Sequence, residues 1–143
     1  MLSAGVWVGV DVGTVRVGVA RSDPNGVLAT PVVTLARDAA GNRDITELAR
    51  LVAEFEAVGV VVGLPRTLAD REGPSARLAR AYAATLATLI SPIPVQHVDE
   101  RLTTVSAQRK LSQGNVRGRA RRTVIDQVAA VELLQHWLDM HRS

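Results

Sequence analysis

The sequence predicts an α/β fold, on three observations. Val-rich runs at 6–12 and 58–64 show little alternation, which is typical of strands covered on both faces. Apolar residues at helical spacing lie between such runs. A Gly13-Thr14 turn joins the first run to a second one, which predicts an antiparallel hairpin at the start. The 143 residues fit a single domain over 1–143.

The first half of the chain predicts four strands and one helix. The third strand contains Pro31, which favours a sheet edge. Asp44 and Glu47 have the spacing of a helix N-cap and its acidic partner, and periodic apolar residues continue to about Ala57. The four strands are predicted at 6–12, 15–22, 27–35 and 58–64.

The second half alternates helices with one more strand. Pro92 and Pro94 end an Ala- and Leu-rich helix, and the strand at 94–100 follows. The predicted segments are a helix at 74–90, that strand, a helix at about 103–112, a basic loop at 113–122 and a last helix at 123–140. The order β-β-β-α-β-α-β-α-α implies parallel strands after the hairpin.

Composition narrows the class of protein. Without cysteine there is no disulfide, no thiolate-zinc site and no cysteine nucleophile. No window approaches the roughly 18 consecutive apolar residues of a membrane span, and the N-terminus lacks the pattern of a secretory signal. We therefore expect a cytoplasmic protein without a membrane segment.

The positive charge is local. The net charge is +3, and only one of the 17 cationic residues is a lysine. Between 109 and 122 the chain has no acid and six cations, namely Arg109, Lys110, Arg117, Arg119, Arg121 and Arg122. Such a patch is typical of a polyanion partner, above all a nucleic acid. A solvated basic loop without a partner is the alternative.

One acid of the last helix lies where an apolar residue is expected. At about 100° per residue, Ala130, Leu133 and Trp137 share a face with Asp126, at the centre of the stripe that should contact the sheet. A capping or dipole role near the helix N-terminus is the other interpretation.

Further acids end predicted strands. Asp11 ends the first strand, and Asp99 and Glu100 end the strand at 94–100. Ligands of open α/β sheets bind beyond the carboxyl ends of the strands. Adjacent residues face opposite sides, so at most one of Asp99 and Glu100 faces the site. A buried carboxylate needs a partner. Hard divalent cations such as Mg²⁺ or Mn²⁺ would provide one for the acids on all three elements. Pairs of such ions are common in sites that cleave phosphodiesters.

Four motifs carry a family resemblance: GVDVGTVRVGVARSD, VVGLP with EGP, VDERLTT and DQVAAVELLQHWLD. Together they resemble the YqgF family, also called RuvX. The resemblance implies a ribonuclease H-like mixed five-stranded sheet of order 3-2-1-4-5 with strand 2 antiparallel. It places the family's acids on Asp11, Glu100 and Asp126, and leaves Asp99 as a possible further ligand.

The resemblance also implies an activity. Family members are described as nucleases that mature the 5′ end of pre-16S ribosomal RNA or as Holliday junction resolvases. We expect a hydrolase of phosphodiesters that uses two Mg²⁺ or Mn²⁺ ions and acts on structured RNA or branched DNA as a monomer or homodimer. Arg16 and Arg101 would lie near the scissile bond, and the cations from Arg109 to Arg122 would hold the backbone.

Two other functions remain as alternatives. Asp11-Val12-Gly13-Thr14 resembles the phosphate-binding hairpin of sugar kinases and actin-like ATPases, but those clamp nucleotide between two such domains, and no Walker A loop is present. A non-catalytic ribosomal-RNA-binding assembly factor fits the basic segment equally well. The three acids favour the nuclease.

Overall fold

The computed structural model describes residues 4–65, 73–100 and 119–141, with only the helical backbone described over 119–124. A five-stranded sheet has the order β3-β2-β1-β4-β5. Its strands are β1 (Trp7–Val12), β2 (Arg16–Ser22), β3 (Ala29–Ala36), β4 (Gly59–Leu64) and β5 (Val95–Asp99). The described helices are α1 (Arg43–Glu54), α2 (Pro74–Ile90) and α3 (Arg119–His141).

The sheet topology confirms the predicted order. β2 runs antiparallel to both β1 and β3, whereas β1, β4 and β5 are parallel. Each parallel step crosses over through a helix, as parallel strands require. Because β1 lies in the centre, its carboxyl end is flanked by β2 on one side and β4 on the other. A group at the end of β1 is therefore surrounded by protein.

Alternating residues of the strands build two cores. Val8 and Val10 of β1 face the layer of α1 and α2, and Trp7 faces α3. Trp7 and Trp137 are both core residues, and their ring centroids lie 4.3 Å apart. No helix in the described ranges is long and apolar enough to cross a membrane.

The start of α1 differs from the prediction. The N-cap is Asn42, in the left-handed backbone region, so Asp44 lies inside the first turn. Its buried carboxylate accepts hydrogen bonds from Arg37 Nη1 at 2.9 Å and from the Tyr82 hydroxyl at 3.1 Å. The predicted capping role of Asp44 is wrong, because the carboxylate joins α1 to α2 and to the chain after β3.

The last helix is longer than predicted. It begins at Arg119, so Arg119, Arg121 and Arg122 lie in its first turns and not in a loop. Arginine and alanine favour helices, and Gly118 precedes the first helical residue. The helix predicted at 103–112 lies outside the described residues.

Candidate functional site

Asp11 is buried near the carboxyl end of the central strand, with a relative exposure of 2%. Asp11 lies an even number of residues after Trp7 on β1, so both side chains point to the face that α3 covers. Its register partner on β2 is Gly18. On the other side, Val10 pairs with Val62, so Gly63 of β4 is next along. Asp11 thus lies between two glycines.

Gly18 lets α3 approach the sheet at Asp126. A Cβ atom at Gly18 would overlap the main-chain carbonyl of Asp126 and lie 3.3 Å from its Cβ. Asp126 is therefore held above the residue that pairs with Asp11. It lies seven residues after the start of α3, beyond the first turn in which capping and dipole effects act. This position removes the capping interpretation of Asp126.

Gly63 provides the corresponding space for Glu100. A Cβ atom at Gly63 would lie 2.7 Å from Glu100 Oε1 and 2.9 Å from Leu133 Cδ2. Val98, two residues earlier, belongs to the core under α3. By strand alternation Asp99 points to the other face, which leaves Glu100 as the acid beside Gly63.

Burial changes the protonation of Glu100. Only 4% of the residue is exposed. Desolvation, with a smaller contribution from the negative charge of Asp99, raises the pKa of Glu100 to about 7. The site therefore holds a carboxyl group that costs free energy to ionise near neutral pH. A bound cation would relieve this cost.

Asp126 has a cationic partner in the described structure. Arg16 Nε, at the first position of β2, donates a hydrogen bond to Asp126 Oδ2 at 2.9 Å. Both side chains are partly solvated, with 25% of Arg16 and 19% of Asp126 exposed. Arg16 therefore contacts the carboxylate of one predicted site acid, and its predicted place near the scissile bond stays a prediction.

The acids share one face and neighbouring positions, yet they do not form a closed ligand set. Within 4–65, 73–100 and 119–141, no three acidic or histidine side chains are placed to hold one metal ion. One oxygen of Asp126 that could bind an ion accepts a hydrogen bond from Arg16. The donor set itself, three carboxylates at glycine-lined positions, fits a hard divalent cation.

Most of the predicted nucleic-acid contacts lie outside the described residues. Arg101, Arg109, Lys110 and Arg117 fall within 101–118. The backbone of Arg119, Arg121 and Arg122 is helical, but their side chains are not described. Their roles stay predictions.

Gly18 and Gly63 flank the candidate site but are not among the residues predicted for it. The sequence does mark these positions, because each glycine interrupts an apolar strand. Glycine in a strand often lies where another group approaches closely. What approaches could not be predicted, since Asp126 comes from a distant helix.

A separate cavity of about 410 Å³ lies on the opposite face of the sheet. Residues of α1, α2 and the β1–β2 turn line it, together with Arg37, and none of the three acids does. Arg37 and Tyr82 both bind the buried Asp44 there. This polar cluster links structural elements and leaves the acidic face as the candidate site.

The sheet order and a buried aspartate on the central strand define the ribonuclease H-like class. A solved structure of RuvC from T. thermophilus bound to a Holliday junction substrate matches the chain with a TM-score of 0.58, over 95% of this chain and 94% of that one. At 13% identity this similarity concerns the fold alone.

Sequence comparison identifies the family. Residues 5–140 match the RuvX family, described as Holliday junction resolvase. A "Putative pre-16S rRNA nuclease" of Frankia casuarinae is 60% identical over 96% of this chain and 68% of its own length. A relative of the same name in Mycolicibacterium smegmatis is 58% identical over 95% of this chain and 81% of its own. The chain belongs to the RuvX family of nucleases, as its motifs predicted.

Proposed function

We propose that this protein is a divalent-metal-dependent nuclease that hydrolyses phosphodiester bonds of structured RNA, with the 5′ end of pre-16S ribosomal RNA as its substrate. The observation that carries the proposal is the placement of Asp11 between Gly18 and Gly63, the positions beside which Asp126 and Glu100 lie. The names of the most similar relatives support the choice of RNA.

Asp11, Glu100 and Asp126 would hold the ions. When bound, divalent ions supply an activated water and neutralise charge on the phosphate. The protein would position these carboxylates on rigid strands and a helix. It would bind the phosphate backbone of the RNA through Arg16, Arg101 and the cations between 109 and 122. Backbone contacts of this kind position a substrate without reading its sequence.

Cleavage of defined substrates tests the proposal. A transcript spanning the 5′ end of pre-16S RNA and a four-way DNA junction are incubated with the protein in Mn²⁺, and in parallel with a chelator. We expect Mn²⁺-dependent cleavage of the transcript, and none by Asp11→Asn or Asp126→Asn. Asp139→Asn, an exposed acid on the same helix as Asp126, is the matched control and should cut normally. Full activity of Asp11→Asn would contradict the proposal.

Resolution of DNA junctions is the second candidate, favoured by the description of the family and by the fold of the RuvC complex. A resolvase must cut two strands symmetrically, which requires a twofold dimer with paired sites. Junction cleavage together with a dimer in light scattering would select this function. Cleavage of the RNA by a monomer would select the first.

A non-catalytic RNA-binding role makes a different prediction. Binding through the basic segment alone should weaken steeply with salt and should not depend on divalent ions. Saturable Mn²⁺ binding that Asp11→Asn abolishes would exclude this role for the acidic site. RNA binding with no saturable effect of Mn²⁺ would support it.

A further inference from the structure

Arg16 and Asp126 form an ion pair inside the proposed metal site. The pair joins residues 110 positions apart in sequence, from the start of β2 to the third turn of α3. Its distance of 2.9 Å is that of a charge-assisted hydrogen bond. The guanidinium thus occupies a carboxylate oxygen that would otherwise be available to a cation.

We propose that Arg16 is a positioning residue that competes with the divalent ion for Asp126. In the metal-free protein it neutralises Asp126, and on metal binding it leaves that carboxylate and turns to the substrate phosphate. This inference rests on the proposed function, because it takes Asp126 to be a metal ligand.

Electrostatics makes the two states exclusive. Asp11 and Glu100 are buried on the sheet face that Asp126 overlies, and burial raises the free-energy cost of negative charge there. A guanidinium at Asp126 lowers this cost without a metal. A divalent ion at the same carboxylate would repel the guanidinium at short range, so the ion and Arg16 should not hold Asp126 together.

The geometry of Arg16 suits a transfer to phosphate. The bond to Asp126 uses Nε, and the two terminal nitrogens carry the other four N–H donors of a planar fork that matches phosphate oxygens. With 25% of its side chain exposed, Arg16 lies at the rim of the site, where solvent and substrate reach it. A fully buried arginine could not move in this way.

Titration with Mn²⁺, followed by calorimetry without nucleic acid, tests the competition. We expect Arg16→Gln to bind Mn²⁺ at least about threefold more tightly than the unmodified protein, because the competing charge is gone. Arg16→Lys keeps the charge and should remain close to the unmodified protein. Arg21→Gln is the matched control, since Arg21 lies on the same strand but contacts Phe55 on the other face.

Affinity for the RNA should change in the opposite direction. In the presence of Mn²⁺, Arg16→Gln should bind the transcript several-fold more weakly, whereas Arg21→Gln should not. Circular dichroism establishes that each variant is folded. A merely structural Arg16 would leave the Mn²⁺ dissociation constant unchanged in Arg16→Gln.

The possible outcomes separate this inference from the proposed function. If the unmodified protein binds Mn²⁺ at Asp11 and Arg16→Gln binds it equally or more weakly, the competition is overturned and the nuclease proposal stands. If the unmodified protein shows no saturable Mn²⁺ binding that Asp11→Asn abolishes, both are overturned. Tighter Mn²⁺ binding and weaker RNA binding in Arg16→Gln support both.

Discussion

Asp11 pairs with Gly18 across β1 and β2, and Gly18 is also the residue on which α3 rests at Asp126. One register position therefore brings together two acids that are far apart in the sequence. The absence of a side chain at Gly18 sets the height of α3 above the sheet at this point. Packing of the apolar residues that follow on α3 then holds the helix in place.

Gly18→Ala should displace α3 at Asp126. The added methyl group would overlap a main-chain carbonyl, which cannot rotate away as a side chain can. We expect a loss of stability of about 1 to 3 kcal/mol and a fall in cleavage rate of about 100-fold from the misplaced carboxylate. Urea denaturation and single-turnover cleavage measure the two effects.

Gly73→Ala is the control for that substitution, because a Cβ atom at Gly73 would meet nothing within 4 Å. It should leave the cleavage rate unchanged. A folded Gly18→Ala protein that cuts at the full rate would show that the close contact between α3 and β2 is not needed for activity.

Glu100 should make the metal-free protein less stable as the pH rises. Between the ordinary value of 4.5 and the raised pKa of about 7, the folded protein keeps a proton that the unfolded chain has lost. The free energy of unfolding therefore falls through this window. Glu100→Gln should remove this slope and be more stable at pH 8, by up to about 3 kcal/mol.

Urea denaturation at pH 4 and pH 8 in the presence of a chelator checks this prediction. The two proteins should differ little at pH 4, where Glu100 is protonated in the folded state and mostly protonated in the unfolded state. If the free energy of unfolding changed with pH equally in Glu100→Gln and in the unmodified protein, burial would not raise the pKa of Glu100.

Asp44 should matter for stability and not for chemistry. Asp44→Asn leaves Arg37 without its buried carboxylate, and we expect a cost of about 3 kcal/mol, with the cleavage rate unchanged in the folded protein. Tyr82→Phe removes only the hydroxyl that donates to Asp44 and should cost about 1 kcal/mol. Equal losses of stability in Asp44→Asn and Tyr82→Phe would contradict the claim that Asp44 holds both Arg37 and Tyr82.

The sequence predicted the sheet well because its signals are local. Apolar runs bounded by turn residues, such as Gly13-Thr14, led to the five strands within two residues at each end. The apolar stripe of α3 led to Asp126 as an acid facing the sheet, since helical periodicity does not depend on the rest of the fold.

The details of the site depended on contacts between distant segments. Nothing local distinguishes Asp44 as a buried partner of Tyr82 from Asp44 as a helix cap. The pairing of Arg16 with Asp126 likewise requires knowledge of where α3 crosses β2. Helix starts are also weakly specified by sequence, and α3 begins four residues before the predicted Thr123.

The location of bound metal tests the central claim most directly. Crystals of the protein soaked in Mn²⁺, measured for anomalous scattering, should show a peak at the carboxylate of Asp11, with Glu100 or Asp126 as a further ligand. The same experiment on Asp11→Asn should show no peak there. Mn²⁺ bound only elsewhere on a protein that cleaves its substrate would contradict the assignment of these acids.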